Sequence, residues 1–283
     1  MLDISAAKRS LLRVKLKSII CPRLCASLAF VLAAFPVSAH EFWIAPEPYQ
    51  VAVGETFTAQ FKNGENFEGI NLGFFDRRSE RFDYTLDGQT RALSPRIGNI
   101  PVLDMQAPAE GLMVIAHETT PSSVTYKEWT KFQSFAEHKD FPDIRTRHLA
   151  RDLPEEGFSE SYTRHVKALI GVGSSEGSDS VLGLETEFVA LANPYTDDLT
   201  DGFPIQLLYQ GAPRADAQIE VFARDAAGAV SVSLYRTDDE GRARIPVNPG
   251  SEYLLDAVVL RESPQDAKDV WETLWAALTF RVP

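Results

Sequence analysis

The sequence predicts a mainly β protein made of two β-sandwich domains with a helical insertion. Apolar and polar residues alternate in short segments such as Arg81–Leu86 and Ala217–Ala223, which is the period of a half-buried strand. Turn residues separate these segments, and Asp87-Gly88 is a favoured two-residue hairpin turn. The second half holds about seven such segments in about 100 residues, as a small immunoglobulin-like Greek-key sandwich requires.

The organisation along the chain divides it into three parts. We expect a signal peptide at residues 1–39, an N-terminal sandwich at 40–180 and a C-terminal sandwich at 181–283. The small, polar run 173–180 is the predicted linker, and strands can be exchanged across the boundary.

A helical insertion is predicted within the first domain, at about residues 125–165. Thr125 and Glu128 have the spacing of a capping box, and apolar residues follow on one helical face, so a helix is expected from about Tyr126 to His138. The polar segment 138–160 is long for a simple connection. It is interpreted as an ordered crossover, a second short helix or a mobile lid.

The first 39 residues have the features of a secretory signal peptide. Six basic residues precede the apolar run 26–35, and Val37-Ser38-Ala39 supplies small residues for cleavage. The apolar run is too short to span a bilayer, which needs about 20 residues. Both cysteines, Cys21 and Cys25, lie in this segment, and an exported chain without disulfides fits the periplasm. We therefore expect a periplasmic protein.

The charge of the chain favours cations as ligands. The sequence has 28 basic and 40 acidic residues. Cleavage after Ala39 would remove six basic residues and Asp3, which leaves 22 against 39 and a net charge of −17. Such a field repels phosphate backbones, so nucleic acid is not expected as a partner. An acidic surface that serves only solubility explains the charge equally well.

The same cleavage would make His40 the first residue. A terminal histidine offers its α-amine and its imidazole together, and a second imidazole would complete a T-shaped set of three nitrogens that suits copper(II) or nickel(II). His117 is the predicted second imidazole because it ends a strand pattern, and Glu118 or Glu41 can add an oxygen. The alternative is that His40 only precedes a buried strand that begins at Phe42.

The other three histidines, His138, His148 and His165, are interpreted as ordinary semi-exposed residues. The sequence contains no phosphate-binding loop, H-E-x-x-H or dinucleotide fingerprint. Terminal-histidine copper sites can activate oxygen on sandwich folds, but nothing further in the sequence favours such an enzyme. We expect a protein that is not an enzyme.

Six separated motifs together resemble the DUF4198 family of exported bacterial proteins. They are Ala39-His40-Glu41-Phe42-Trp43-Ile44, Thr120-Pro121-Ser122-Ser123, Tyr162–Ile170, Asn193-Pro194-Tyr195, Thr237–Ala243 and Trp271–Phe280. The resemblance implies a periplasmic β-sandwich protein with a transthyretin-like second half and a role as an accessory in nickel or cobalt uptake. Of the family's features, only the histidine after the cleavage site matches a residue with clear ligand chemistry here, His40.

Two functions follow as hypotheses. The first is a periplasmic binding or delivery accessory for a divalent transition metal, nickel, cobalt or copper, with a metal-uptake membrane transporter or outer-membrane receptor as its partner. The alternative is a metal-independent sandwich adaptor that binds a receptor, peptide or glycan. In the adaptor, Trp271 and Trp275 would line the binding surface, although core packing explains them as well.

Overall fold

The protein is mainly β, with 51% of residues in strands and 8% in helices, which confirms the predicted fold class. The computed structural model describes residues 40–264 and 267–283, so the predicted signal peptide at 1–39 lies outside the described residues. The strands of the first half are β1 Glu41–Glu47, β2 Gln50–Val51, β3 Thr56–Glu65, β4 Glu68–Leu72, β5 Ser79–Leu86, β6 Gln89–Ala92, β7 Leu103–Gln106, β8 Gly111–Thr119, β9 Ser122–Tyr126 and β10 Phe158–Val172. Those of the second half are β11 Thr186–Ala190, β12 Phe203–Tyr209, β13 Ala212–Pro213, β14 Gln218–Arg224, β15 Val230–Arg236, β16 Arg242–Ile245, β17 Glu252–Glu262 and β18 Trp271–Arg281. The α-helices are α1 Trp129–His138 and α2 Ile144–Leu149.

A ten-stranded central sheet organises the protein, in the order β15-β14-β17-β18-β10-β8-β5-β6, with β2 and β9 also paired to β10. A front sheet consists of β1, β3, β4 and β7, and a back sheet consists of β11, β12, β13 and β16. The pairing of β10 with β18 is parallel, and the two strands lie in the middle of the central sheet.

The central sheet is covered on both faces, because alternate residues of β10 pack into two different cores. Val166, Ala168 and Ile170 pack into a core shared with the front sheet, whereas Leu169 packs into a core shared with the back sheet. The two helices cover the remainder of the front face through a third, aromatic core. This layering is sandwich-like and explains why the long β10 is apolar on both faces.

Both predicted domains contribute strands to the central sheet. β10 belongs to the first predicted domain and β18 to the second, and they pair from Glu160 opposite Trp271 to Ala168 opposite Thr279. Strands therefore pair across the predicted boundary, whose position stays a prediction.

The predicted linker at 173–180 is not a free connection. Asp179 is buried and accepts hydrogen bonds from the Lys167 ammonium and from the backbone N–H groups of Ser180 and Ala190. Lys167 also contacts Glu187 at 3.0 Å. A buried ion pair therefore fastens the segment predicted as a linker to β10, and its role as a domain boundary stays a prediction.

The predicted hairpin turn agrees with the structure, whereas the predicted capping box does not. The Asp87-Gly88 turn is confirmed, since Leu86 pairs with Gln89 and both turn residues have positive φ. The helix begins at Trp129 rather than Tyr126, because Thr125 lies in β9 and shares a hydrogen bond with Ser159. The predicted capping box is therefore wrong.

β3 continues to Glu65, and the chain turns at Asn66 and Phe67, which have positive φ. Within residues 40–264 and 267–283, no helix has the length and apolar character needed to cross a bilayer.

Candidate functional site

His40 is exposed and immediately precedes β1, next to a carboxylate that the sequence did not single out. Antiparallel pairing of Glu41 with Gly64 places His40 beside Glu65, and the His40 Nε2 atom lies 3.9 Å from Glu65 Oε1. A Cβ at Gly64 would collide with the Glu68 backbone, so the hairpin between β3 and β4 needs glycine at this position. The tight hairpin thus positions Glu65 across from His40.

The main chain at His40 is anchored from the central sheet. The buried Arg164 side chain donates a hydrogen bond of 2.8 Å from Nη2 to the His40 carbonyl. The same guanidinium lies 3.9 Å from the ring centroid of Trp275, an arrangement that favours a cation over an aromatic face. His40 is therefore held at its carbonyl while its ring remains exposed.

Two cavities open beside His40. One, of 480 Å³, is lined by Glu65 and Glu68. The other, of 270 Å³, is lined by Tyr126, Glu160 and Arg164. The first of them places only acidic charge next to the imidazole.

Glu160 is the buried carboxyl of the 270 Å³ cavity. Burial raises the pKa of Glu160 to about 7, although hydrogen bonds from the Thr273 and Tyr126 hydroxyls oppose this rise. The Tyr126 hydroxyl donates to Glu160 Oε2 at 2.8 Å. Near neutral pH this carboxyl can therefore hold or release a proton.

His117 is a core residue, contrary to its predicted place at a strand end. β8 continues to Thr119, and the imidazole packs against Phe61, Phe82 and Phe42 with ring centroids 4.2, 5.4 and 5.7 Å away. Burial lowers the pKa of His117 to about 3, so its ring is neutral at physiological pH. The Nδ1 atom is buried and has no hydrogen-bond partner.

Glu41 is turned away from His40 because successive strand residues point to opposite sides. It is 2% exposed and lies with Glu220 and Asp256, whose carboxylate oxygens are all within 4.8 Å of one another. The Lys139 ammonium, which follows α1, sits among them at 3.4 Å from Glu41 and 2.9 Å from Asp256, and it also contacts Glu220. We call these four side chains the Lys139 cluster.

Two opposing effects set the protonation of the Lys139 cluster: the burial of its carboxyls and the positive charge of Lys139. Burial raises the pKa of Glu41 to about 7, and the Lys139 charge opposes that rise. For Glu220, the hydrogen bond with His138 and the Lys139 charge outweigh burial and lower the pKa. His138 Nε2 lies 2.7 Å from Glu220 Oε1 at the rim. An ammonium therefore already supplies the positive charge that this cluster requires.

Glu118 is paired with another histidine. It lies 3.5 Å from Nε2 of His165, which is 1% exposed. His148 is fully buried, and its Nδ1 accepts a hydrogen bond of 3.0 Å from Trp271 Nε1. The interpretation of His148 and His165 as semi-exposed is therefore wrong, whereas His138 is exposed.

The structure does not assemble His40, Glu41, His117 and Glu118 into one set of ligands. Among the described residues, the only group of three or more histidine or carboxylate side chains close enough to hold a metal ion is Glu41, Glu220 and Asp256. Glu65 and Arg164 were missed as neighbours of His40. A charged residue at 164 within a strand of buried residues was the available signal for an unusual role.

The adaptor surface proposed from the tryptophans is not present. Trp271 and Trp275 are 0% and 2% exposed. Phe135 of α1 stacks on Trp275 with ring centroids 5.6 Å apart. Both tryptophans are core residues under the helices.

Comparison with known proteins identifies a family but no activity. The family model described as Domain of unknown function (DUF4198) matches residues 37–261. No curated protein matches the chain. Among solved structures, dimeric latent PorU from Porphyromonas gingivalis aligns at 11% identity over 84% of this chain and 20% of that chain, with a TM-score of 0.17. The chain spans about a fifth of that protein, and so low a score carries no argument about fold or function.

Proposed function

We propose a function for this chain, which belongs to the DUF4198 family, from its own site: a divalent transition metal ion binds at His40 after residues 1–39 are removed. The protein then serves as a periplasmic binding or delivery accessory for nickel, cobalt or copper in metal uptake. The observation that carries the proposal is the exposed His40 imidazole beside Glu65, 3.9 Å away, on a main chain anchored by Arg164.

The donor set fits such a metal. Cleavage before His40 would add a primary amine next to the imidazole, and two nitrogen donors with a carboxylate suit copper(II), nickel(II) or cobalt(II). The Glu65 side chain is 39% exposed, so it can turn toward a bound ion. The acidic cavity beside it favours a cation.

In this ligand set Glu65 supplies the side-chain oxygen, and the predicted ligands His117, Glu41 and Glu118 take no part. His117 lies in the core among phenylalanines, Glu41 contacts Lys139, and Glu118 lies 3.5 Å from Nε2 of the buried His165. The ion would therefore be held at the protein surface with open coordination positions. An open site suits transfer to a membrane transporter or an outer-membrane receptor.

Calorimetric titration with nickel and with copper tests the proposal. The form that begins at His40 is compared at pH 8 with a form that retains Ala39. We expect the retained residue to weaken binding at least tenfold, about 1.4 kcal/mol, because it converts the amine into an amide. Affinity of the first form should fall at pH 6, since the reference pKa of an α-amine is about 7.7 to 8.

Two substitutions complete the experiment. Glu65→Gln should weaken metal binding, whereas Glu80→Gln, an exposed carboxylate outside these cavities, should not. Equal affinity with and without Ala39 would overturn the terminal chelate. Metal analysis of protein purified from the periplasm separates the metal accessory from the metal-independent adaptor, which would carry no stoichiometric metal.

A further inference from the structure

A separate cavity of 160 Å³ lies between the front and central sheets. Phe42 and Phe61 come from the front sheet, and His117, Tyr162 and Arg164 come from the central sheet. We call it the His117 cavity. It shares Tyr162 and Arg164 with the 270 Å³ cavity, but His40 does not line it.

The charge of the His117 cavity is opposite to that of the chain. Arg78 and Arg164 line it, and no aspartate or glutamate among the described residues does, although the whole sequence has a net charge of −12. An all-cationic lining in an acidic protein favours an anionic ligand.

Arg164 is a buried cation that lacks an ion-pair partner among the described residues. Its side chain is 8% exposed, and its Nη1 atom has no hydrogen-bond partner. Glu41, Asp256 and Glu160 act on it only at longer range, since no carboxylate oxygen within residues 40–264 and 267–283 lies within 4.0 Å of it. A buried guanidinium without such a partner is costly, and a carboxylate would satisfy it in a charge-assisted hydrogen bond.

The rest of the lining is suited to an apolar body. Phe42 and Phe61 form aromatic walls, and the neutral imidazole of His117 adds a second buried nitrogen, Nδ1, without a partner. A cavity of about 150 Å³ is known to hold a benzene ring, so 160 Å³ admits a body of that size.

We propose that the His117 cavity binds a small organic carboxylate with an apolar body, an aromatic or branched short-chain acid about the size of benzoate. The carboxylate contacts Arg164, with Arg78 adding charge at the exposed side, and the body packs against Phe42 and Phe61. This site needs neither the metal nor the terminal amine of His40.

The test is calorimetric titration of benzoate, phenylacetate and 3-methylbutanoate, each beside its neutral amide. Metal-free protein that retains Ala39 is used, so the proposed terminal chelate is absent and the two proposals fail independently. We expect at least one acid to bind with one-to-one stoichiometry and at least about tenfold more tightly than its amide. If no acid binds more tightly than its amide, the proposal is overturned.

Variants locate the binding. Arg164→Gln should abolish the preference for acid over amide, and exposed Arg78→Gln should weaken acid binding and its dependence on salt. Arg96→Gln, an exposed arginine outside the cavity, is the charge-matched control and should bind as the parent does. If Arg164→Gln does not fold, two other variants decide the question. They are Arg78→Gln and Ser122→Leu, the second of which fills part of the His117 cavity from a residue that lines it. Acid binding that is unchanged in both would overturn the assignment.

Discussion

Replacing Lys139 with methionine is the sharpest test of the Lys139 cluster. Methionine keeps most of the volume but removes the ammonium that contacts Glu41, Glu220 and Asp256. All four side chains are 1–2% exposed, so water cannot replace the lost charge. The three carboxyls would then be buried together with only His138 at their rim.

The expected cost follows from that burial. Removing one partner of a buried ion pair typically destabilises a protein by about 3–5 kcal/mol. For a protein of this size, about 1 kcal/mol corresponds to about 2–4 °C, so the melting temperature should fall by about 6–20 °C. Lys131→Met is the control, because Lys131 is an exposed lysine on α1, the helix that Lys139 follows, and its loss should change stability by about 0.5 kcal/mol or less.

The dependence on pH separates this explanation from a simple packing defect. Lys139 is the cation that opposes the raised pKa of Glu41 and of Asp256, so its removal raises both pKa values further. A carboxyl with a raised native pKa contributes stability at low pH that is lost as pH rises. The stability deficit of Lys139→Met, measured by urea unfolding, should therefore be larger at pH 8 than at pH 5. A deficit below about 1 kcal/mol, or an equal deficit at both pH values, would refute the reasoning.

Two further substitutions test buried carboxyls elsewhere. Glu160→Gln should become more stable relative to the parent as pH rises from 5 to 8. The native pKa of Glu160 is raised from 4.5 to about 7, so the parent loses stability across that window. Urea unfolding at both pH values measures the difference in stability, and a difference that stays constant contradicts the prediction. Asp179→Ala should cost about 3–5 kcal/mol and speed amide exchange at Ala190, whose N–H it accepts; slow exchange at Ala190 in the variant would argue against the role given to Asp179.

Local periodicity predicted where strands lie. The alternating segment Arg81–Leu86 lies within β5, and Ala217–Ala223 corresponds to β14 with a shift of one residue. The strand Phe158–Val172 was missed as one element, because the insertion predicted at about 125–165 included its first half, and it carries the charged Glu160, Arg164 and Lys167. Those charges are buried only because distant residues pair with them or stack on them, which no local pattern reveals.

The candidate site shows the same limit. His117 follows the continuous apolar run Leu112–Ala116, and such a run shows no alternation that could tell a buried strand end from an exposed one. The Lys139 cluster had no such signal, because Glu41, Glu220 and Asp256 are separated from Lys139 by 98, 81 and 117 positions. The proximity of His40 to Glu65 depends on the register of β1 against β3, which no local sequence pattern reveals.

The position of β18 constrains how the chain can acquire its structure. This strand, Trp271–Arg281, is inserted between β10 and β17, so neither neighbour has its full complement of backbone partners until it arrives. A nascent polypeptide lacking those residues would expose two long, apolar strand edges, which are prone to pair with other chains. Completion of the central sheet therefore depends on β18, because backbone hydrogen bonds to this strand join β10 to β17.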